Sequence, residues 1–185
     1  MLHIFFVSTN KKLYTITSTT ATTAQTELIT PEYFLSHWQS HRTLGRKVLA
    51  AFPEQELFSF SVGGMRPYSE LAGEMIGLAS AGIKGLATGD WETTPLLNHF
   101  NKEVKMTTKQ QMLDSWDEAT GQINSCFPQI DATTFDNKIM AFGMYESTVR
   151  DMLFYLIDND IHHRGQGYVY LRALGIEPPA FWDRY

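Results

Sequence analysis

Residues 145–179 read YESTVRDMLFYLIDNDIHHRGQGYVYLRALGIEPP, and this stretch decides the fold. Its apolar residues recur at steps of three or four, which is the period of an α-helix with one buried face. Gly175 and the two prolines that follow it are typical of a helix end. The pattern therefore predicts one helix from about Tyr145 to Leu174, ~45 Å long at ~1.5 Å per residue.

Three more helices are predicted upstream of this one. Thr30 is a suitable N-cap and Pro31 a suitable first residue for helix one, which ends near Phe52. The other two run from Pro67 to about Gly89, and from a capping box of Thr107 with Gln110 to about Cys126. Residues 127–143 form a long connection between helices three and four, or a crossover. No sustained strand pattern follows residue 31, so the sequence predicts an all-α, antiparallel four-helix bundle.

The N-terminal 30 residues differ in composition, with eight threonines between residues 15 and 30. We interpret residues 1–30 as a Thr-rich, loosely attached extension, and 31–185 as the bundle domain. The alternative is a short strand or hairpin through Leu2 to Ile16.

Composition excludes several classes of protein. The chain has 185 residues, a formal charge of −5 and 43% hydrophobic residues, which favours one folded domain. No basic cluster is present, so nucleic-acid binding is not expected. Cys126 is the only cysteine and cannot form an internal disulfide. The run Ile4 to Val7 is too short for a signal peptide or a membrane helix, so we expect a cytoplasmic protein without membrane association.

Polar residues interrupt two apolar helix stripes. Asn159 and His163 are four residues apart on helix four, on one face with Met152, Leu156, Gln166, Tyr170 and Leu174. On helix two, Glu74 borders the apolar face and needs water, a cation or a donor such as His163, because an unpaired buried carboxylate is costly. These residues form either a metal site or a structural hydrogen-bond network.

Other polar pairs carry weaker signals. Asp158 with His162 and Asp160 with Arg164 are spaced as solvated surface ion pairs. His37 and His41 flank Trp38, which indicates packing rather than ligation. Cys126 lies at a helix C-terminus, where the dipole disfavours a thiolate nucleophile. His99 and His3 carry no signal.

The run from Asp158 to Gln166, with its His-Arg-Gly-Gln core, followed by Leu-Arg-Ala-Leu-Gly-Ile-Glu-Pro-Pro, resembles the closing helix of the DinB/YfiT-like family. The resemblance extends over residues 31–185. It implies an up-down-down-up bundle, a homodimer, and a divalent metal held by three histidines. Here His163 matches one of these histidines, while Asn159 and Glu74 stand at the positions of the other two.

The resemblance implies two alternative functions. The first is a thiol-linked transferase or hydrolase-type enzyme acting on a small molecule or thiol, with a degenerate metal site at Glu74, Asn159 and His163. Such a ligand set does not distinguish Zn²⁺, Ni²⁺ and Mn²⁺. The alternative is an emptied site that holds no metal. The second is a non-catalytic dimeric stress or binding module with a buried polar network in place of the metal.

Overall fold

The computed structural model describes residues 28–101 and 103–184. Five helices and one hairpin are present there: α1 Pro31–Ala51, α2 Glu54–Ser59, α3 Tyr68–Thr88, α4 Lys109–Cys126, β1 Lys138–Ala141, β2 Tyr145–Thr148 and α5 Val149–Ala173. Single 3₁₀ turns follow α4. The strand alternative for Leu2 to Ile16 lies outside the described residues, and the domain division at residue 30 stays a prediction.

The helix ends follow local side-chain chemistry. Thr30 Oγ1 accepts a hydrogen bond from Tyr33 N at 3.2 Å, as predicted for the start of α1. The capping box of α4 is formed by Thr108 with Gln111, one residue later than the sequence predicted. Gly89 closes α3 in the left-handed conformation, with φ of 79°.

Contacts between helices establish the up-down-down-up order. Phe34 and Trp38 of α1 contact Phe154 and Asp160 of α5, so α1 and α5 are parallel. Glu74 and Gly82 of α3 meet His163 and Leu156 of α5, so this pair is antiparallel. Contacts that join α1 with α4 are Gln39–Asn124 and Arg46–Asp117, which are again antiparallel. The predicted all-α bundle is thereby confirmed.

Because α3 and α4 point the same way, residues 89–108 must return along the bundle. The crossover is therefore this segment, and the predicted crossover at residues 127–143 is wrong. The long connection between α4 and α5 joins two antiparallel helices at one end of the bundle. It carries the hairpin, in which Lys138 pairs with Thr148 and Ala141 with Tyr145. These four-residue strands were not predicted from the sequence, and the last helix was predicted to begin at Tyr145, where β2 begins instead.

The core has two hydrophobic clusters along the bundle axis. One contains Leu49, Tyr68 and Trp116, and the other contains Phe34, Ile83 and Leu156. Among the described helices, none has the length and apolarity that a membrane span requires.

Candidate functional site

The antiparallel packing of α3 on α5 brings together the three residues predicted as a site. His163 Nε2 lies 3.0 Å from Glu74 Oε1, and Asn159 Nδ2 donates to the same oxygen at 3.2 Å. His163 is buried, whereas 20% of the Glu74 side chain is exposed. The cluster therefore lies at the edge of the core, where solutes have access to the carboxylate.

A second hydrogen bond determines which ring nitrogen of His163 carries the proton in the neutral imidazole. Gln166 Oε1 is 2.7 Å from His163 Nδ1 and can only accept, so Nδ1 carries a proton. In the neutral imidazole, Nε2 is then an acceptor facing a carboxylate oxygen. Two acceptors at 3.0 Å repel unless a proton or a cation lies between them. The His163–Glu74 pair is thus built to hold one positive charge.

The pKa shifts agree with this arrangement. The hydrogen bond from His163 is the largest cause that lowers the pKa of Glu74, and Arg66 and Asn159 lower it further against the effect of burial. Burial alone would lower the pKa of His163, but its bonds to Glu74 and Gln166 raise it. Without another cation, His163 is the proton carrier of the pair.

Arg66 is a member of the site that the sequence analysis did not identify. Its Nη2 lies 2.7 Å from Glu74 Oε2, and its side chain is about half exposed. The loop before α3 carries it, so no helical period could relate it to Glu74. Arg66 supplies a positive charge to the carboxylate from the solvent side, where it competes with any bound cation.

The residues fit a weak divalent-cation site. Two ligand bonds of ~2.0–2.2 Å separate their donor atoms by about 3 Å at the right angles of an octahedral site and by about 3.4 Å at a tetrahedral angle, so the 3.0 Å between Glu74 Oε1 and His163 Nε2 matches the octahedral geometry. Asn159 directs Nδ2 at Glu74 Oε1, and its Oδ1 is buried without a hydrogen-bond partner among the described residues, so rotation of the amide would bring an oxygen ligand to the site. Over residues 28–101 and 103–184, no group of three His, Cys, Asp or Glu is arranged to hold a metal. The ligand role of the three residues therefore stays a prediction.

A small cleft lies one turn further along α3. Its volume is about 130 Å³, and its lining includes Gly77, Trp91, Thr93, His99 and Phe142. The charge of Glu74 raises the pKa of His99 while burial, the larger effect, lowers it. His99 is thus part of the site's surroundings, although its position in a loop gave the sequence analysis no signal.

The prediction that Asp160 and Arg164 form a surface ion pair is wrong. Both residues are buried, and Asp160 instead pairs with Arg42 of α1 at 3.2 Å. Trp38 Nε1 donates to its other oxygen at 3.0 Å. The spacing rule failed because residues 160 and 164 lie on the side of α5 that packs against α1. Asp158 and His162 are exposed as predicted, without an ion pair between them in the described structure.

His37 and His41 pack inward as predicted, and they also join a polar network. Their Nε2 atoms lie 3.1 Å apart, and Arg164 Nη1 is 2.9 Å from His41 Nδ1. This network is separate from Glu74.

Comparisons with known proteins agree with the fold. The sequence model of the DinB family matches residues 19–184. A DinB-like protein from Bacillus cereus ATCC 10987 has a similar structure, with a TM-score of 0.66 and 19% identity, covering 82% of this chain and 97% of that one. For the DinB-like protein YjoA from Bacillus subtilis the TM-score is 0.61 and the identity 16%, with 80% and 96% covered. No curated protein matches the chain significantly. Because the family match spans most of the sequence, the protein belongs to the DinB family.

Proposed function

We propose that this DinB-family protein binds a divalent cation at Glu74, Asn159 and His163, as the centre of a thiol-linked transferase or hydrolase-type enzyme acting on a small molecule. One observation carries the proposal. His163 Nε2 and Glu74 Oε1 lie 3.0 Å apart and would repel as two acceptors without a proton or a cation between them, while Gln166 occupies the other ring nitrogen. A cation between them removes the repulsion, as a proton on His163 does.

The ligand set determines the affinity that we expect. One imidazole and two oxygens bind Zn²⁺, Ni²⁺ or Mn²⁺ more weakly than three imidazoles do. When bound, such a cation supplies Lewis-acid activation of water or of a thiol, whose coordination favours the thiolate.

The chain's own residues have separate roles in this proposal. Gln166 fixes the ring orientation of His163 by accepting from Nδ1, which is the common arrangement of an outer partner to a ligating histidine. Arg66 holds Oε2 of Glu74 and leaves Oε1 directed at His163. The cleft beside Gly77 and His99 offers space for a small substrate.

Equilibrium dialysis of untagged protein against Zn²⁺, Ni²⁺ and Mn²⁺ tests the site. We expect His163→Gln to weaken binding at least ten-fold, because it removes the nitrogen ligand. Arg66→Gln should strengthen binding, since it removes the competing charge from Glu74. Arg172→Gln is the matched control, because Arg172 is an exposed arginine on α5 paired with Glu177. Equal metal contents in wild type and His163→Gln would exclude this centre.

The second candidate is a non-catalytic dimeric binding or stress module in which the same residues form a structural network. It is favoured by the saturation of Glu74, whose two oxygens already receive His163, Asn159 and Arg66. In this case Arg66→Gln lowers the free energy of unfolding and leaves metal affinity unchanged.

A gain-of-ligand variant separates the two candidates further. Replacing Glu74 and Asn159 together by histidine places three imidazoles at the site. If the geometry of a metal site is retained, this variant gains tight affinity for divalent metal. A failure to gain affinity in a folded variant favours the network.

We also propose a homodimer, from the family resemblance, and a cytoplasmic protein that does not bind nucleic acid or membranes, from its negative charge and the short apolar run at residues 4–7. Multi-angle light scattering measures the oligomeric state, and a mass of one 21.1 kDa chain at micromolar concentration would contradict the dimer.

A further inference from the structure

A buried arginine without a carboxylate partner lies on the face of α5 that packs against α1. Arg164 is 8% exposed, and its Nη1 lies 2.9 Å from His41 Nδ1 and 3.3 Å from the His41 carbonyl oxygen. Within residues 28–101 and 103–184, no Asp or Glu forms an ion pair with it. Asp160 is nearby, but its oxygens already accept from Arg42 and Trp38. Two buried guanidinium groups therefore share one buried carboxylate.

Two buried hydroxyl groups without a hydrogen-bond partner belong to the same region. They are the Oη atoms of Tyr68 and Tyr168, for which the described part of the chain offers no donor or acceptor. Tyr68 packs its ring tip on Gly167 of α5, and a Cβ atom at Gly167 would lie 2.9 Å from Tyr68 Oη. Arg164 and Tyr168 flank Gly167 along the helix. The charge of Arg164 acts on both hydroxyls, so the guanidinium and the two hydroxyls lie near the same turn of α5.

The groups around this turn of α5 carry protons that they can donate, and the carboxylates of Asp160 and Asp183 act on Arg164 and Tyr168 from nearby without a direct ion pair in the described residues. Burial raises the pKa of Tyr68 and of Tyr168, so both remain protonated near neutral pH, although Arg164 opposes the shift. Burial and the neighbouring arginines lower the pKa of His41 to about 3, so His41 is neutral. Its Nδ1 lies against Arg164 and its Nε2 lies 3.1 Å from Nη1 of Arg184, so the neutral ring can accept from only one of these two arginines. Water could satisfy the hydroxyls, but it would not neutralise the charge of Arg164.

We propose that Arg164, Tyr68 and Tyr168 form a binding site for a small oxyanion, either a carboxylate or inorganic phosphate. An oxyanion accepts hydrogen bonds from all three groups and supplies the missing negative charge. The C-terminal segment closes the same side of the bundle. There Asp183 pairs with Lys47 at 2.9 Å, and Arg184 Nη1 approaches His41 Nε2 at 3.1 Å.

Tyrosine-to-phenylalanine variants test the proposal with little change of shape. Full-length wild type, Tyr68→Phe and Tyr168→Phe are titrated calorimetrically with formate, acetate and phosphate, with chloride keeping the ionic strength constant. We expect the dissociation constant of the bound oxyanion to rise about ten-fold in each variant, as for the loss of one hydrogen bond to a charged group. Tyr33→Phe, at an exposed tyrosine of α1, should leave it unchanged. Binding of formate and acetate without phosphate would identify a carboxylate as the ligand. Binding of phosphate alone would identify inorganic phosphate.

Stability in chloride gives a second measurement. Because the hydroxyl of Tyr68 has no hydrogen-bond partner within the described residues, Tyr68→Phe should be at least as stable as wild type when no oxyanion is present. A stability loss in chloride would show that water or the protein already satisfies the hydroxyl, and it would overturn the proposal. So would the absence of oxyanion binding in wild type, or equal binding in wild type and Tyr68→Phe.

The site is independent of the proposed metal centre. His163→Gln should keep its oxyanion affinity, because Glu74 and its partners are not among the donors. If His163→Gln abolishes the binding, the anion belongs to the Glu74 cluster, and the Arg164 site is refuted even where metal binding stands.

Discussion

Asp160 is the residue on which the interior of the bundle depends most directly. It is 2% exposed and holds Arg42, which is fully buried and also donates to Thr120 and to the carbonyl oxygen of Trp116. Asp160→Asn leaves a buried guanidinium without a counter-charge, so we expect the free energy of unfolding to fall by about 3–5 kcal/mol. Urea denaturation measures this loss.

The control for this prediction is two residues away on the same helix. Asp158 is exposed, and Asp158→Asn should change the free energy of unfolding by less than about 0.5 kcal/mol. Similar small effects at both positions would mean that Arg42 moves to solvent when its partner is removed.

His41 predicts a dependence of stability on pH. Its pKa is about 3 in the folded protein, mainly through burial, against an ordinary value of 6.5. Between these values the unfolded chain binds more protons, so stability falls as the pH drops below 6.5. The slope is up to ~1.4 kcal/mol per pH unit, and about 1–2 kcal/mol should be lost between pH 7 and pH 5.

A difference measurement isolates this effect, because the raised pKa of His163 acts with the opposite sign. His41→Gln should flatten the stability curve between pH 7 and pH 5, whereas His162→Gln, at an exposed histidine, should not. Parallel curves for His41→Gln and wild type would contradict the buried neutral state of His41.

At the scale of residues, helical spacing was sufficient to pair Asn159 with His163, and the family resemblance joined Glu74 of another helix to them. Spacing along one helix reports which residues share a face, and a polar residue in an apolar stripe needs a partner. It does not report what packs on the other faces. For this reason Asp160 and Arg164 were assigned to the surface, and the loop residues Arg66 and His99 were not linked to the site.

At the scale of elements, α5 carries two glycines with opposite requirements. A Cβ atom at Gly167 would lie 2.5 Å from Cε2 of Tyr68, whereas no atom of the described residues beyond the local helix backbone and chain neighbours lies within 4 Å of a Cβ atom at Gly165. Gly167→Ala should therefore lower the free energy of unfolding by about 1–3 kcal/mol through overpacking. Gly165→Ala should raise it by about 0.5–1 kcal/mol through helix propensity.

Thermal or urea unfolding of the two variants checks this prediction, with wild type as the reference. If Gly167→Ala is also stabilising, α5 and α3 separate more easily than their close approach indicates. The oxyanion site would then lose the geometric support that Tyr68 receives from Gly167.

The elements themselves were predictable where the sequence is strongly periodic or capped. The four long helices and the Thr30 cap are of this kind. The hairpin was not predictable, because β1 and β2 have four residues each and their pairing is specified by tertiary packing against α5. The N-cap of α4 was placed one residue early, since Thr107 and Thr108 are followed by Gln110 and Gln111.

At the scale of the whole molecule, the up-down-down-up order determines where each site forms. It places α5 between α1 and α3, so one face of α5 meets Glu74 and another meets Arg42 and His41. A single helix thus contributes His163 to one cluster and Arg164 to the other. The two sites therefore share α5 as a support but have no residue in common.

Metal binding should be visible in the stability of the entire protein. Ni²⁺ at 100 times its dissociation constant stabilises the folded state by about 2.7 kcal/mol, which corresponds to a rise in Tm of about 5–10 °C for a chain of this length. At one fixed Ni²⁺ concentration, the rise in Tm should be smaller at pH 6 than at pH 8. Below the raised pKa of His163 a proton occupies the ligand nitrogen, and metal affinity falls about ten-fold per pH unit.

Differential scanning calorimetry at the two pH values, with and without Ni²⁺, measures this effect. His163→Gln should lose the metal-dependent rise at both pH values, and His162→Gln should keep it, since His162 is exposed beside the site. A rise that is independent of pH, or that persists in His163→Gln, would place the metal elsewhere in the molecule. In that case a proton, and not a metal, lies between His163 and Glu74. The structural network then explains the cluster better than a metal site does.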